Sequence, residues 1–261
     1  MPTLITEELR EEILRQSDAR LERLQNKVIV IGAGVIGLTT AIKLLEDGHD
    51  VEIWAKDIPG KVSEVASFWE PFASVPDPQK RDKKWGKDTH DKLSAQTKDA
   101  VPGLAVFPGL TMMPEETNPP DWAEYVPSYS HLHTREDVAA VCSGIGVNLP
   151  DKAKSGYTVD YPTFDMPKYL PYLTQEFEGK GGKIIQRTIG DFSEALEQVD
   201  TVINCSGVAS RELCMDSHTY PIRGNLVKVS RPEGVNHVVI DDYGPDGMRN
   251  VMTHAEHIML G

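Results

Sequence analysis

Six consecutive residues constrain this 261-residue chain more than any others: Gly32-Ala33-Gly34-Val35-Ile36-Gly37. They follow without a break on Lys27-Val28-Ile29-Val30-Ile31, a β-branched run suited to a strand buried on both faces. Leu38 to Leu45 then has helical spacing, Asp47-Gly48 ends it, and Asp50-Val51-Glu52-Ile53-Trp54 alternates as a second strand. The result is a strand–turn–helix–strand unit of about 30 residues. Within it Gly32 allows a sharp turn, Gly34 lets backbone approach a pyrophosphate, and Gly37 lets the helix pack close to the strand. Free N–H groups at the positive end of the helix would hold the phosphates. A GxGxxG pattern alone is a weak signal, but here the strand before it and the helix after it are both present. The acid expected on an adenosine ribose, about 20 residues further on, falls at Asp57. Lys56 beside it could reach a phosphate instead.

Composition bounds the rest. Lys plus Arg is 27 against Asp plus Glu 40, a net charge of −13 that repels phosphate backbones and anionic lipid. No nucleic-acid or membrane partner is therefore expected, and no run reaches the roughly 18 apolar residues that a membrane span needs. Dividing the length by about 150 residues per domain gives one large domain or two small interleaved ones. Cys142, Cys205 and Cys214 cannot all pair and none sits in a CxxC, which suits reduced thiols in a cytosol-like compartment.

Residues 3–26 read as one amphipathic helix, with Thr6 as N-cap and Leu9, Ile13, Leu14, Leu21 and Leu24 as its stripe. That stripe must bury against the body of the protein or against a second copy. Residues 75–127 have weak periodicity, and Asp77 to Asp88 reads as a solvated loop. A helix is expected from Asp165 to Glu178, with Met166, Tyr169, Leu170, Leu173 and Phe177 on one face. Strands are expected at Lys183 to Ile185, Asp200 to Cys205, Leu226 to Val229 and His237 to Ile240. His254-Ala255-Glu256-His257 carries metal-capable residues at helical spacing without a third ligand, so no metal is expected. Asn204-Cys205-Ser206 matches a glycosylation sequon inside a strand read as buried. There is no GxSxG elbow to carry hydrolase chemistry.

Four ordered segments resemble the D-amino-acid oxidase family of flavoproteins, which includes D-aspartate oxidase. The first is VIVIGAGVIGLTTAIKLLEDGHDVEIWAKD, and the second is VSEVASFWEPF, which is similar to the family's segment beside the flavin ring. The third is YPTFDMPKYLPYLTQEFEGKGGKI, and the fourth is DTVINCSGVASREL followed by YPIRGNLVKV. The resemblance implies an α/β fold, a Rossmann-like FAD-binding domain interleaved with a mixed-sheet substrate domain. On this chain the pieces would be the helix at 1–26, FAD-binding segments 27–75 and 160–215, and substrate-domain segments 76–159 and 216–261. It implies FAD as cofactor and oxidative deamination of a D-amino acid, by hydride transfer to flavin with oxygen as acceptor. Gly32, Ala33, Gly34, Val35, Ile36 and Gly37 would hold the pyrophosphate, with Lys56 and Asp57 near the adenosine. Ser63, Ala66 and Ser67 would follow the cofactor toward the flavin, Ile189 would meet the adenine side, and Ser206 and Gly207 would close over it. The flavin supplies the chemistry, so the protein's task is orientation.

Two departures from the family pattern bear on the substrate. The family's tyrosine-bearing strand aligns with Arg249-Asn250-Val251-Met252-Thr253, leaving Tyr243, Arg249 and Glu70 as the substrate-side candidates. Family members also continue past the point matching Gly261, where they supply the arginine that grips the substrate carboxylate and a glycine-rich loop under the flavin. Two alternatives stand beside the main reading: a glycine-oxidase-like amino-acid or amine oxidase, and a non-catalytic FAD-binding subunit or remnant. A cytoplasmic location is expected, or a peroxisomal one where an address signal lies outside this sequence.

Overall fold

The computed structural model describes residues 11, 12, 15, 26–60, 67–71, 81–221, 224–244 and 247–261. The amphipathic helix expected at 3–26, and with it the question of a second copy, lies almost wholly outside the described residues. The strands are β1 (Lys27–Ile31), β2 (Asp50–Ala55), β3 (Ser67–Phe68), β4 (Leu104–Met113), β5 (Ser130–Leu132) and β6 (Ser155–Phe164). They continue with β7 (Lys183–Gln186), β8 (Thr201–Asn204), β9 (Val227–Ser230), β10 (Val238–Gly244), β11 (Gly247–Thr253) and β12 (His257–Leu260). The longer helices are α1 (Val35–Glu46), α2 (Arg81–Lys98), α3 (Arg135–Ile145) and α4 (Met166–Gly179). The chain divides into two compact units: Met1–Glu64 with Leu170–Ile222, and Val65–Tyr169 with Arg223–Gly261.

The first unit is built on a parallel sheet in the order β7-β2-β1-β8. Val28 to Ile31 are all buried, as a strand flanked by neighbours and covered on both faces requires. Helix α1 crosses from β1 to β2 and buries Gly37, Leu38, Ala41 and Ile42. Ile29, Ile31, Trp54, Ile189, Ala195 and Val199 form one apolar cluster in this unit. The apolar face expected between Met166 and Phe177 is buried at all five positions.

The second unit is a mixed sheet in the order β3-β6-β4-β10-β11-β12-β9, with β5 beside β6. Its spine is the antiparallel pairing of β4 with β6, from Leu104 opposite Phe164 to Met113 opposite Ser155, and β10 runs parallel to β4. Helix α3 packs Val138 and Cys142 against Leu110, Met112 and Leu132. Its start is a capping box: the Asp137 N–H donates to Thr134 Oγ1 at 3.2 Å and the Thr134 N–H donates to Asp137 Oδ2 at 2.9 Å. Gly146 closes the helix at φ 71°, in the left-handed region. Thr134→Ala leaves the Asp137 N–H without its side-chain acceptor and is expected to lower stability by about 1 kcal/mol. Urea unfolding followed by far-UV circular dichroism checks this, and an unchanged midpoint would assign the cap no energetic role.

The expected α/β class, a parallel sheet with a second mixed sheet, is the observed one. Four local readings are corrected. Residues 81–88 are not loop but the start of α2, where Lys84–Asp88 and Lys87–Asp91 pairs at i,i+4 support a helix that lacks an apolar stripe. Residues 104–113, inside the stretch of weak periodicity, form the long strand β4. His254 to His257 is not helical; it is the turn between β11 and β12, with the His254 N–H donating to the His257 carbonyl at 2.9 Å. The sequon strand is likewise not buried: β8 is the sheet's edge and Asn204 is exposed.

Candidate cofactor cleft

The strand-to-helix turn after β1 is drawn tight by backbone contacts. The Gly32 N–H donates to the Trp54 carbonyl at 2.8 Å, and the Cys205 N–H donates to Ile31 at 2.9 Å, so the tips of β1, β2 and β8 are held together. Gly32 sits at φ 112°, and a Cβ there would stand 2.4 Å from the Cys205 carbonyl oxygen. A Cβ on Gly37 would stand 1.9 Å from the Gly32 carbonyl oxygen, so only glycine lets α1 pass this close over the turn. Gly34 caps α1 with ordinary extended backbone at φ −80°, no side chain caps the helix, and its first turn holds no acid. The first N–H groups of α1 therefore face the cleft with the positive end of the helix dipole behind them. That arrangement fits a pyrophosphate.

A cleft of about 440 Å³ opens over this turn, within the size range of cofactor pockets. It brings together Gly32, Ala33, Gly34, Val35, Ile36, Gly37, Lys56, Asp57, Ile189, Ser206 and Gly207, all from the first unit and all expected from sequence. Ile36 stands 68% exposed on the first turn of α1, an apolar side chain positioned to cover a bound molecule. Ser63 and Ala66 lie outside the described residues. Ser67 belongs to the second unit, where it pairs with Phe164 at the sheet edge.

Sequence reasoning missed a cation in the cleft wall. Arg187, just past β7, lies with its guanidinium carbon 4.1 Å from the centre of the Trp54 ring and binds Glu194 at 2.7 Å. Both Trp54 and Arg187 line the cleft. Its only sequence signal was a basic residue closing a strand, which is too common to single out.

The substrate-side candidates belong to the second unit. Glu70 accepts a 2.6 Å hydrogen bond from the Tyr157 hydroxyl, which burial and the Glu70 charge push well above the usual phenol range. Trp69 beside it packs against His90, Trp122 and Tyr125, a rigid aromatic frame. Arg249 of β11 forms an ion pair with Asp241, opposite it on β10. The Tyr243 side chain lies outside the described residues. Among the described residues no three His, Cys, Asp or Glu side chains gather to hold a metal ion, and no helix is long and apolar enough to cross a membrane.

A parallel sheet with a glycine turn, an uncapped helix start and a cleft at the carboxyl ends of its strands defines a dinucleotide-binding protein. Residues 27–261 match the family model described as DAO, FAD dependent oxidoreductase. The chain belongs to this family of FAD-dependent oxidoreductases, and FAD is the cofactor that goes with it. It is 30% identical to a D-amino-acid oxidase of Rubrobacter xylanophilus, over 92% of this chain and 70% of that one. It is also 30% identical to a human D-aspartate oxidase, over 90% of this chain and 67% of that one. Among solved structures, the fold is shared with L-proline dehydrogenase from P. horikoshii, with a TM-score of 0.67 and 14% identity over 91% of this chain and 69% of that one. Glycine oxidase from Bacillus cereus gives a TM-score of 0.62 and 17% identity over 91% and 70%.

Proposed function

We propose that this chain is the FAD- and substrate-binding body of an oxidase that oxidatively deaminates a D-amino acid, with oxygen as the final acceptor. The observation that carries the reading is the cleft built on Gly32, Gly34 and Gly37, whose uncapped helix start and crowding at Gly32 and Gly37 fit a pyrophosphate. When bound, FAD would supply the two-electron redox chemistry at the substrate's α-carbon, with oxygen as the final acceptor. The chain's own residues bind and orient. The first turn of α1 holds the pyrophosphate by N–H donation, Lys56, Asp57 and Ile189 flank the adenosine, and Ser206 and Gly207 close the far side. By the family resemblance Ser63, Ala66 and Ser67 are the candidates for the flavin side, Ser63 and Ala66 lying outside the described residues. Glu70, Tyr243 and Arg249, all of the second unit, are the substrate-side candidates. No nucleic acid is a partner of a chain with a net charge of −13, and its three unpaired cysteines suit a reducing, cytoplasmic setting.

Glu70 selects the substrate's side chain in this reading. A carboxylate whose orientation is set by the buried Tyr157 hydroxyl favours a cationic group, so basic D-amino acids should be the better substrates. The test is the visible spectrum of the purified protein, repeated anaerobically with single D-amino acids. A flavin spectrum that bleaches fastest with D-lysine or D-arginine, and no longer does so in Glu70→Gln, is the expected result. Faster bleaching with D-aspartate would remove the role of Glu70. Bleaching by glycine or L-proline alone would move the substrate class, and a spectrum that never bleaches would make the chain a FAD-binding subunit.

A further inference from the structure

The cleft has two directions. With the pyrophosphate over the tip of β1, one half of a dinucleotide runs toward β2 and β7 and the other toward β8. The ribose contact belongs at the end of β2, so the adenosine half takes the β2–β7 side, where the wall is Trp54 with Arg187 stacked upon it.

This stack is held from both ends by a chain of fixed contacts. Lys27 pairs with Glu52 at 2.8 Å, and the Trp54 Nε1–H donates to Glu52 at 3.3 Å, which fixes the buried indole in its plane. On the other side Glu194 binds twice: one oxygen takes the Arg187 guanidinium and the other accepts the Gly190 N–H, both at 2.7 Å. The Arg187 N–H itself donates to the Ala55 carbonyl at 2.9 Å. The loop between Arg187 and Glu194, which carries Ile189 into the cleft, is thereby closed on itself. Holding an arginine side chain in one geometry costs rotamer entropy, and this one is already about two-thirds buried and anchored by a carboxylate.

We propose that the Arg187–Trp54 stack is the purine-reading wall of the cleft and that Glu194 is its positioning residue. A planar guanidinium offers the larger purine ring more stacking area than a pyrimidine. The inference rests on the cleft being the FAD site.

The experiment is calorimetric titration of the 261-residue chain with ADP and with UDP, the nucleotides that differ only in the base end and its size. The wild type is expected to prefer ADP by about tenfold. Arg187→Ala should weaken ADP about tenfold, leave UDP nearly unchanged and so erase the preference. Arg187→Lys, which keeps the charge and loses the plane, should not restore it. Glu194→Gln keeps an acceptor for Gly190 but loses the carboxylate charge that faces Arg187, and an intermediate loss of about threefold is expected. A merely structural Arg187 would weaken both nucleotides together, and Arg187→Gln provides a second, less disruptive variant for that comparison. A wild-type ADP preference surviving in Arg187→Ala and Arg187→Gln overturns the inference and leaves the FAD site standing. A wild type that binds neither ADP nor FAD overturns both.

Discussion

Gly37→Ala is expected to lower the thermal midpoint by about 6–12 °C and to abolish FAD retention, whereas Gly34→Ala should keep the fold and lose only the cofactor. At Gly37 the added carbon would lie 1.9 Å from the Gly32 carbonyl oxygen, inside any tolerable contact. Backbone cannot swing aside as a flexible side chain can, so α1 must lift off the turn, at a cost of about 3 kcal/mol. Lifting α1 also moves the N–H groups that would hold the phosphates. At Gly34 the backbone has φ −80°, which alanine adopts freely, so folding is undisturbed. What alanine adds there is a methyl group where a pyrophosphate must approach the helix start. Gly48→Ala is a useful control: its φ is 91°, but no atom of the described residues lies within 4 Å of the added carbon, so backbone strain of about 1 kcal/mol is the expected effect. Differential scanning fluorimetry with bound-flavin absorbance reads both quantities. Equal flavin loss in Gly34→Ala and Gly48→Ala would remove the pyrophosphate role of Gly34.

Acid should destabilise the second unit through a histidine pair. His254 and His257 stack with ring centres 4.8 Å apart, and His254 is 1% exposed, its Nε2 without a hydrogen-bond partner among the described residues. Burial, with the neighbouring His257 adding to it, pulls His254 down to about 4, and His257 is lowered as well. Lys228 adds to the lowering, and Asp165 opposes it. Lys168 and Glu256, ion-paired at 2.9 Å, act weakly on His257 in opposite senses. The folded-state value is depressed, so the folded chain stays neutral while the unfolded chain takes up a proton near pH 6.5. Stability is therefore fully present above about pH 6.5, falls as the pH drops toward 4 and levels off below. The loss attributable to His254 is about 2–3 kcal/mol. Urea midpoints at pH 7.5 and pH 4.5 for the wild type and for His254→Phe measure it. The variant keeps a ring on His257 but cannot titrate, so its acid loss should be smaller by that amount. The same pH dependence in both proteins would sink the assignment.

What the sequence showed most clearly was what depends on neighbours along the chain. The β-branched run of β1, the GxGxxG turn and the spacing from Gly37 to Asp57 are local patterns, and the structure gathers Gly32 to Gly37, Lys56 and Asp57 in one cleft. The apolar face of α4 was equally legible, because a 3.6-residue period shows where a helix is buried. Helix α2 was missed because its support is ion pairs rather than an apolar stripe, and β4 because ten residues interrupted by Pro108 and Gly109 carry no clean alternation.

The sequence by itself determined the class of cofactor site, since steric need at two glycines and an open helix start follow from residue type and spacing alone. Only the tertiary structure decided what stands around it. Arg187 meets Trp54 because β7 lies beside β2 in the sheet, although 133 positions separate them in the chain. Tyr157 meets Glu70 across 87 positions, and His254 stacks on His257 because a hairpin, not a helix, joins them. Strand order and register set such contacts, and these follow from how whole faces bury against one another rather than from any local run of residues.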